Sequence, residues 1–358
     1  MKRFLAILLF AAMLLPLVGC GTANGDPTDD TTQPTETAPE GYLLDEKRNE
    51  CIVNDAGAIT QVNDGNGRAY YQIFVGSFSD SDGDGIGDLQ GIMERFDYLN
   101  DGDPDSGVSL GVEGIWLSPI FTSPSYHKYD VKDYYEIDPK FGTMEDLQRL
   151  IDLCHERGVQ IILDLVINHS SRQHPWFQQF ATAHANGDTE DEFYDFYSWA
   201  DTNLPGATYN TVPGCREHYY ECNFSGEMPE LNFDNEKVRQ AMVDVAKFYL
   251  DMGVDGFRFD AAKYIYFGDE AGNVDFWNWY MGELRAIKPD IYTVAEVWEG
   301  DGITIPYFSS TNCFNFSLAQ TNGTFAATAK GGDVNVFTGY IINRSNLSIS
   351  NILIIFSN

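Results

Sequence analysis

The chain has 358 residues, 43% of them hydrophobic and 14% aromatic, enough for one large barrel domain or two smaller domains. Its formal charge of −32 argues against nucleic acid as a partner and against charge-driven binding to anionic lipid. An uncharged substrate, metal cations, or an acidic surface that only maintains solubility all remain compatible with it.

Lys2-Arg3 precedes an apolar run from Phe4 to Val18. The run is too short and wrongly flanked for a spanning helix and reads as an export signal over residues 1–19. Leu17-Val18-Gly19-Cys20 puts a small residue and a cysteine directly after it, similar to a bacterial lipoprotein box with Cys20 as the lipidated residue. The chain is therefore expected to be exported and lipid-anchored to the bacterial cell surface, with membrane contact only through that anchor. Residues 20–40 are rich in Thr, Asp and Pro and read as a disordered tether. Residues 41–69 are an N-terminal segment without a clear pattern. Export permits disulfides. Cys215 and Cys222, close in sequence within an irregular stretch, are the expected pair, whereas Cys154 on an amphipathic stretch reads as a buried thiol.

Tyr70-Tyr71-Gln72-Ile73-Phe74-Val75 is the first strong strand and leads into Asp80-Ser81-Asp82-Gly83-Asp84-Gly85-Ile86-Gly87-Asp88. Carboxylates at every second position, with glycines permitting a tight backbone, suit a hard cation. Asp80, Asp82, Asp84, the Ile86 carbonyl and Asp88 are the candidate calcium ligands. The pattern follows an EF-hand for nine positions and departs at the twelfth, Gly91. A helix is expected over Leu89–Leu99, a strand over Gly114–Pro119, and a loop holding Tyr126-His127-Lys128-Tyr129-Asp130 after it. Met144–Arg157 is amphipathic and stops at Gly158. Val159–Val166 is a near-continuous apolar strand, as in a buried parallel sheet, and runs into Ile167-Asn168-His169.

Residues 170–232 break this rhythm and read as an inserted subdomain between a first barrel part (70–169) and a second (233–340). Alternation resumes with helices expected over Glu236–Met252 and Asp275–Ile287. Between them, Gly256-Phe257-Arg258-Phe259-Asp260 is a strand with Arg258 and Asp260 on one face, because side chains at i and i+2 point the same way. A guanidinium beside a carboxylate favours its ionised form, which makes Asp260 a candidate nucleophile. Glu296 ends the next strand, Ile291–Trp298, about one βαβ unit later. Two acids at the carboxyl ends of successive parallel strands can face each other across a barrel mouth. The expected fold is α/β: a (β/α)8 TIM-type barrel with an inserted subdomain after its third strand. No glycine-rich phosphate fingerprint follows the first strand, which disfavours a doubly wound sheet.

These motifs together resemble the alpha-amylase family of glycoside hydrolases, from about Tyr70 to about Phe316. Asp164-Leu165-Val166-Ile167-Asn168-His169 looks like the family's first signature, Gly256-Phe257-Arg258-Phe259-Asp260-Ala261-Ala262-Lys263 the second, and Ala295-Glu296-Val297-Trp298 the third. Met228-Pro229-Glu230-Leu231-Asn232 resembles the marker that closes the insertion. The resemblance implies an α-glucan substrate and retaining hydrolysis of α-1,4 bonds in starch or maltodextrins by a monomer. Asp260 is then the nucleophile and Glu296 the acid/base. His169 and Arg258 contact the sugar at the cleavage point, Tyr129 is its aromatic platform, and Lys263 touches the leaving side. Asn168 is implied as a ligand of a second calcium. Related α-glucosidase, cyclomaltodextrinase or transglycosylase activity, or a catalytically inactive glucan-binding lipoprotein, are the alternatives.

The family's fourth signature, Asn-His-Asp, is absent: the last histidine is His218, and after Asp301 the only acid is Asp333. In the tail, 341–358, fourteen of eighteen residues are Ile, Asn or Ser, with no acid and no glycine. That composition fits neither a capped helix nor the preceding domain, and the alternative reading is a genuine seventh strand. The expectation is an incomplete barrel with an altered C-terminal sequence, prone to aggregate through an open strand edge.

Overall fold

The computed structural model describes residues 42–45, 50–53, 68–319, 323–345 and 352–353. The export signal, Cys20 and the tether lie outside them. Residues 1–62 and 63–358 are two units. In the first, β1 (Tyr42–Asp45) pairs antiparallel with β2 (Glu50–Val53).

The second unit is built on a seven-stranded sheet. Its strands are β3 (Tyr70–Ile73), β4 (Gly114–Leu117), β7 (Gln160–Leu165), β11 (Gly256–Phe259), β12 (Tyr292–Ala295), β13 (Asn312–Phe314) and β14 (Ile352–Leu353). They lie in that spatial order and every neighbouring pair is parallel. Two short antiparallel sheets sit in the connections: β5 (Phe121–Thr122) with β6 (Asp133–Ile137), and β8 (Trp199–Ala200), β10 (Tyr219–Glu221) and β9 (Tyr209–Thr211) within the 170–232 insertion.

β4, β11 and β12 are buried along their whole length, because each face of the sheet has its own apolar cover. The helices Met144–Glu156, Glu236–Asp251 and Glu270–Ile287 supply one cover through Leu147, Leu150, Met242, Tyr249, Trp277 and Tyr280. The other face forms a separate cluster of Trp116, Ile162, Tyr292, Val294 and Phe314. Tyr70 on β3 stacks on Tyr292 of β12 with ring centroids 4.7 Å apart, although β4, β7 and β11 lie between those strands in the sheet. Trp116 on β4 meets Phe314 of β13 at 5.4 Å. The sheet is therefore curled into a barrel-like trough. Gly114 permits the inner contact, since a Cβ there would come within 2.3 Å of the Tyr70 ring. Among the described residues β3 and β14 are the two edges, and no eighth strand joins them.

Local chemistry sets the helix ends. Thr143 and Asp146 form a reciprocal capping box at the start of Met144–Glu156. Asp269 caps Gly272, which starts the helix at Glu270, five residues before the expected Asp275. The stretch Leu89–Leu99 is two short helices, Leu89–Glu94 and Phe96–Leu99, because the chain leaves helical geometry at Arg95.

Two further expectations are corrected. Cys215 and Cys222 are both free. Cys215 sits in the turn between β9 and β10, whereas Cys222 lies beyond the far end of β10, donating its N–H to Thr208. Three residues of extended strand separate it from the turn, roughly 10 Å, beyond the ~7 Å Cα separation that a disulfide tolerates. The tail also contributes regular structure: residues 341–345 end a helix that starts at Val334, and β14 adds to the sheet with Cys313 opposite Ile352.

Candidate active site

Arg258, on β11, is 5% exposed and holds three carboxylates. Its Nη1 donates to Asp164 Oδ1 and Oδ2 at 2.8 and 3.1 Å and to Asp260 Oδ1 at 2.8 Å, and its Nη2 donates to Glu296 Oε2 at 2.8 Å. The sheet register explains the meeting. Arg258 lies opposite Asp164 on β7 and Val294 on β12, while Asp260 and Glu296 follow the last residues of β11 and β12. One guanidinium spanning both Asp260 and Glu296 keeps them well inside the ~9 Å outer limit for a paired-carboxylate mechanism.

Aromatic rings close the sides of this cluster. The Arg258 guanidinium lies 5.3 Å from the Trp116 ring centroid, 5.7 Å from Tyr129 and 5.9 Å from Phe314. Trp116 Nε1 and the Tyr129 hydroxyl donate to Asp164 Oδ2 at 3.3 and 3.2 Å. Asp164 is thus the anionic floor under Arg258. Burial pushes its pKa up to about 7 against the pull of the guanidinium. Glu296 is also pushed up, by burial first and then by the Asp260 charge and a hydrogen bond with Asp260, with Arg258 opposing. A raised glutamate beside a second carboxylate is the arrangement of a general acid next to a nucleophile.

The turn after β11 is strained. Ala261 has φ 51°, a left-handed conformation unfavourable to a residue with a Cβ. It presents its N–H toward Glu296 Oε2 at 3.4 Å, and Ala262 N–H donates to the Glu296 carbonyl at 3.1 Å. Lys128, φ 67°, plays the same part before Tyr129, anchored by a buried ion pair with Asp138 at 2.6 Å. Among the described residues, both non-glycine positions with positive φ therefore flank a side chain of the site.

His169 is 1% exposed, and burial lowers its pKa to about 4, so the ring is neutral. Its Nε2 and the neighbouring Asn168 Oδ1 are buried without a hydrogen-bond partner. Such orphaned groups are costly unless a ligand satisfies them. The marker Met228–Asn232 returns to this point: Ser170 N–H donates to the Pro229 carbonyl and Leu231 N–H to the Asn168 carbonyl. Glu230 is buried there, and burial raises its pKa to about 8. Lys263, just beyond Asp260, is ion-paired with Glu299.

In the loop after β3, Asp80, Asp82 and Asp88 bring ligand oxygens within 4.8 Å of one another. Asp84 lies outside that group and accepts the Ile86 N–H at 2.7 Å. Among the described residues no Lys, Arg or His forms an ion pair with any of the four. Tyr129, Arg258, Asp260 and Glu296 thus converge as the sequence suggests, His169 lies beside Tyr129, Lys263 sits on the rim, and the aspartate loop is a separate feature. Asp164 and Trp116 were not singled out from the sequence. The signal for Asp164 was its place in an apolar strand, where an isolated aspartate demands a partner.

A family model described as the alpha amylase catalytic domain matches residues 72–341. Alpha-amylase 3 of Dictyoglomus thermophilum is 44% identical over 252 residues, 70% of this chain and 48% of that protein. A trehalose synthase/amylase of Mycobacterium tuberculosis is 34% identical over 264 residues, 68% of this chain and 41% of that protein. The crystal structure of an alpha-amylase from H. orenii superposes with a TM-score of 0.70 at 40% identity, covering 80% of this chain and 60% of that one. The chain spans about half the length of the curated relatives it matches. With this match and the Arg258-centred carboxylates in place, the chain belongs to the alpha-amylase family of glycoside hydrolases.

Proposed function

We propose that the protein cleaves α-1,4-glucosidic bonds of starch or maltodextrins with retention of configuration. The observation that carries this reading is the single Arg258 guanidinium bonded to both Asp260 and Glu296, with Glu296 held toward its protonated form. Glu296 protonates the glycosidic oxygen as it leaves, and Asp260 attacks the anomeric carbon to form a glycosyl-enzyme. Water, deprotonated by Glu296, then releases the sugar and restores both groups. Tyr129 offers its ring face to the sugar, and His169 Nε2 offers an unused polar atom to a hydroxyl. Asp164 does not replace the aspartate of the absent fourth signature, because it is bonded to Arg258, Trp116 and Tyr129 beneath the site.

The aspartate loop fits calcium: three close carboxylates with no ion-pair partner among the described residues make an oxygen-only donor set for a hard cation. Asp80, Asp82 and Asp88 would hold it, with Asp84 and the Ile86 carbonyl completing the shell. Asn168 Oδ1, buried without a hydrogen-bond partner, is the donor atom that supports the second calcium the resemblance implies. Export and a lipid anchor at Cys20, which rest on the N-terminal sequence, and a monomeric state, which rests on the family resemblance, complete the proposal. Transglycosylation is the second reading, favoured by the relative that is a trehalose synthase/amylase.

The test is reducing-sugar release from soluble starch with calcium, beside an Asp260→Asn control. Release that the control abolishes, with α-anomers as the first products by NMR, is expected. β-anomers would contradict retention. New oligosaccharides in place of reducing ends would favour the second reading. Glucan binding without turnover would assign the chain to the inactive binding class.

A further inference from the structure

In the loop between β5 and β6, Lys128 has φ 67°, a left-handed conformation that glycine adopts freely and a residue with a Cβ resists. What a lysine adds over glycine at such a position is its side chain, and that side chain is buried. Its Nζ lies 2.6 Å from Asp138 Oδ2 and 5.4 Å from the Phe141 ring centroid, and the two charged side chains are 8% and 9% exposed. Asp138 is itself held in place. Its N–H donates to the Ile120 carbonyl at 2.9 Å, its carbonyl accepts the Phe141 N–H at 2.8 Å, and its Oδ1 accepts the Lys140 N–H at 3.1 Å. The ion pair thus ties the loop to the backbone that follows β6. The next residue is Tyr129, whose N–H donates to His127 Nδ1 at 3.2 Å and whose hydroxyl donates to Asp164 Oδ2 at 3.2 Å. Its ring centroid is 5.7 Å from the Arg258 guanidinium, which bonds both Asp260 and Glu296.

We infer that Lys128 is a positioning residue for the reaction: its buried ion pair with Asp138 holds the left-handed turn that sets Tyr129 against Arg258 and Asp164. The inference rests on the hydrolytic reading above. Lys128 does not touch the sugar and acts only through Tyr129. A change of φ at residue 128 rotates the chain that follows, so the Tyr129 ring and hydroxyl move with it. Without the ion pair, the strained backbone has no anchor and relaxes toward negative φ. Binding of a glucan draws on many contacts, whereas alignment at the reacting centre is felt in the transition state. Loss of the anchor therefore falls on kcat more than on KM.

Maltoheptaose hydrolysis by variants of the full chain tests this. Lys128→Met combined with Asp138→Asn removes both charges together and leaves no unpaired buried ion, a replacement that folded proteins often tolerate. Its melting temperature should stay close to that of the parent, while kcat falls on the order of tenfold and KM stays within about twofold. Lys128→Gly accepts the left-handed backbone without strain but cannot anchor it. It should show the same loss, and it decides the question if the neutral pair does not fold. In a Tyr129→Ala background the same changes should cost nothing further, because their route to the chemistry is gone. Equal losses with and without Tyr129, or kcat within about twofold of the parent in the folded variants, overturn the inference alone. No turnover of maltoheptaose by the folded parent overturns the hydrolytic reading and the inference with it.

Discussion

Around Arg258, three carboxylates share one guanidinium inside a ring of aromatic side chains; in the loop after β3, Asp80, Asp82 and Asp88 crowd together with no ion-paired Lys, Arg or His among the described residues. The first cluster carries its counterion in the fold. Arg258 is buried, bonded at 2.8 Å to each acid, and its charge cannot be exchanged for a solvent ion. The loop is open to water and must draw its counterion from solution. Permanent compensation suits a site whose acids must keep fixed positions relative to one another, because one buried guanidinium bonds them all. Reversible compensation suits a structural ion.

Arg258→Met breaks the first arrangement and has the largest expected effect. It leaves Asp164, Asp260 and Glu296 together without their cation. Removing one partner of a buried ion pair costs about 3–5 kcal/mol. Urea denaturation at pH 7 should show a loss in that range, and starch hydrolysis should be absent. Stability within about 1 kcal/mol of the parent would mean that the acids relax or bind another cation, and the comparison would fail.

The calcium proposed for the loop gives that region a different test. Calcium added to chelator-treated protein should raise the melting temperature, with a stabilisation of about 2.7 kcal/mol at a hundred times the dissociation constant. Asp82→Asn removes one charged oxygen and should abolish most of that response while leaving Arg258 and its partners untouched. An equal calcium response in the variant would place the ion elsewhere.

Much of this contrast was legible in the sequence, and the reason is local spacing. Arg258 and Asp260 are two apart on one strand, and the aspartates recur at every second position, so neither reading needs tertiary information. Glu296 was legible because it ends the next strand of a βαβ unit. Asp164 has no such local partner. It lies 94 residues before Arg258, and only the β7–β11 register makes them neighbours. The Phe224–Tyr264 contact joins the insertion to the turn after β11 and has no local signal either. Cys215 and Cys222 failed for the opposite reason, because nearness in sequence concealed a hairpin that holds them apart. In the tail, the alternative of a seventh strand holds, and its partner, β13, lies about forty residues upstream.

Titration separates the site from its surroundings. His169 and His174 are buried and neutral, their pKa values lowered by burial to about 4 and about 3. Depressed folded values mean that the unfolded chain binds the extra protons. Their contribution is complete above the unfolded pKa near 6.5 and is lost as pH falls below it. Asp164, raised to about 7, acts in the reverse sense, losing stability as pH rises from about 4 toward 7, and Glu296, also raised by burial, acts with the same sign. Comparison with a variant isolates one group. His174 Nδ1 accepts the Trp176 N–H at the start of the helix Pro175–Asn186, and His174→Asn keeps a capping acceptor without a titrating ring. Between pH 7 and pH 5 the parent should lose about 2 kcal/mol relative to that variant. Parallel pH profiles would show that His174 takes up its proton without unfolding.

The smallest effects concern the backbone, where the two clusters again differ. Gly85 in the loop has φ 90° and no atom within 4 Å of where a Cβ would stand, so its strain-free turn depends on glycine alone. Ala261 at the site has φ 51° with its Cβ in place. Gly85→Ala should cost about 1–2 kcal/mol of stability, since only the left-handed backbone opposes it. Ala261→Gly should act with the opposite sign. It relieves a similar strain but loses about 0.5–1 kcal/mol to the greater freedom of the unfolded chain, leaving a gain below about 1 kcal/mol. Urea titrations of the two variants measure both signs. If Ala261→Gly destabilises the protein, the left-handed turn is held by its bonds to Glu296 strongly enough that a Cβ there carries no penalty. If it stabilises the protein and slows starch hydrolysis, the strain at Ala261 is what keeps Glu296 aligned with Asp260. The open loop, with glycine at its own positive-φ turn, has no such device.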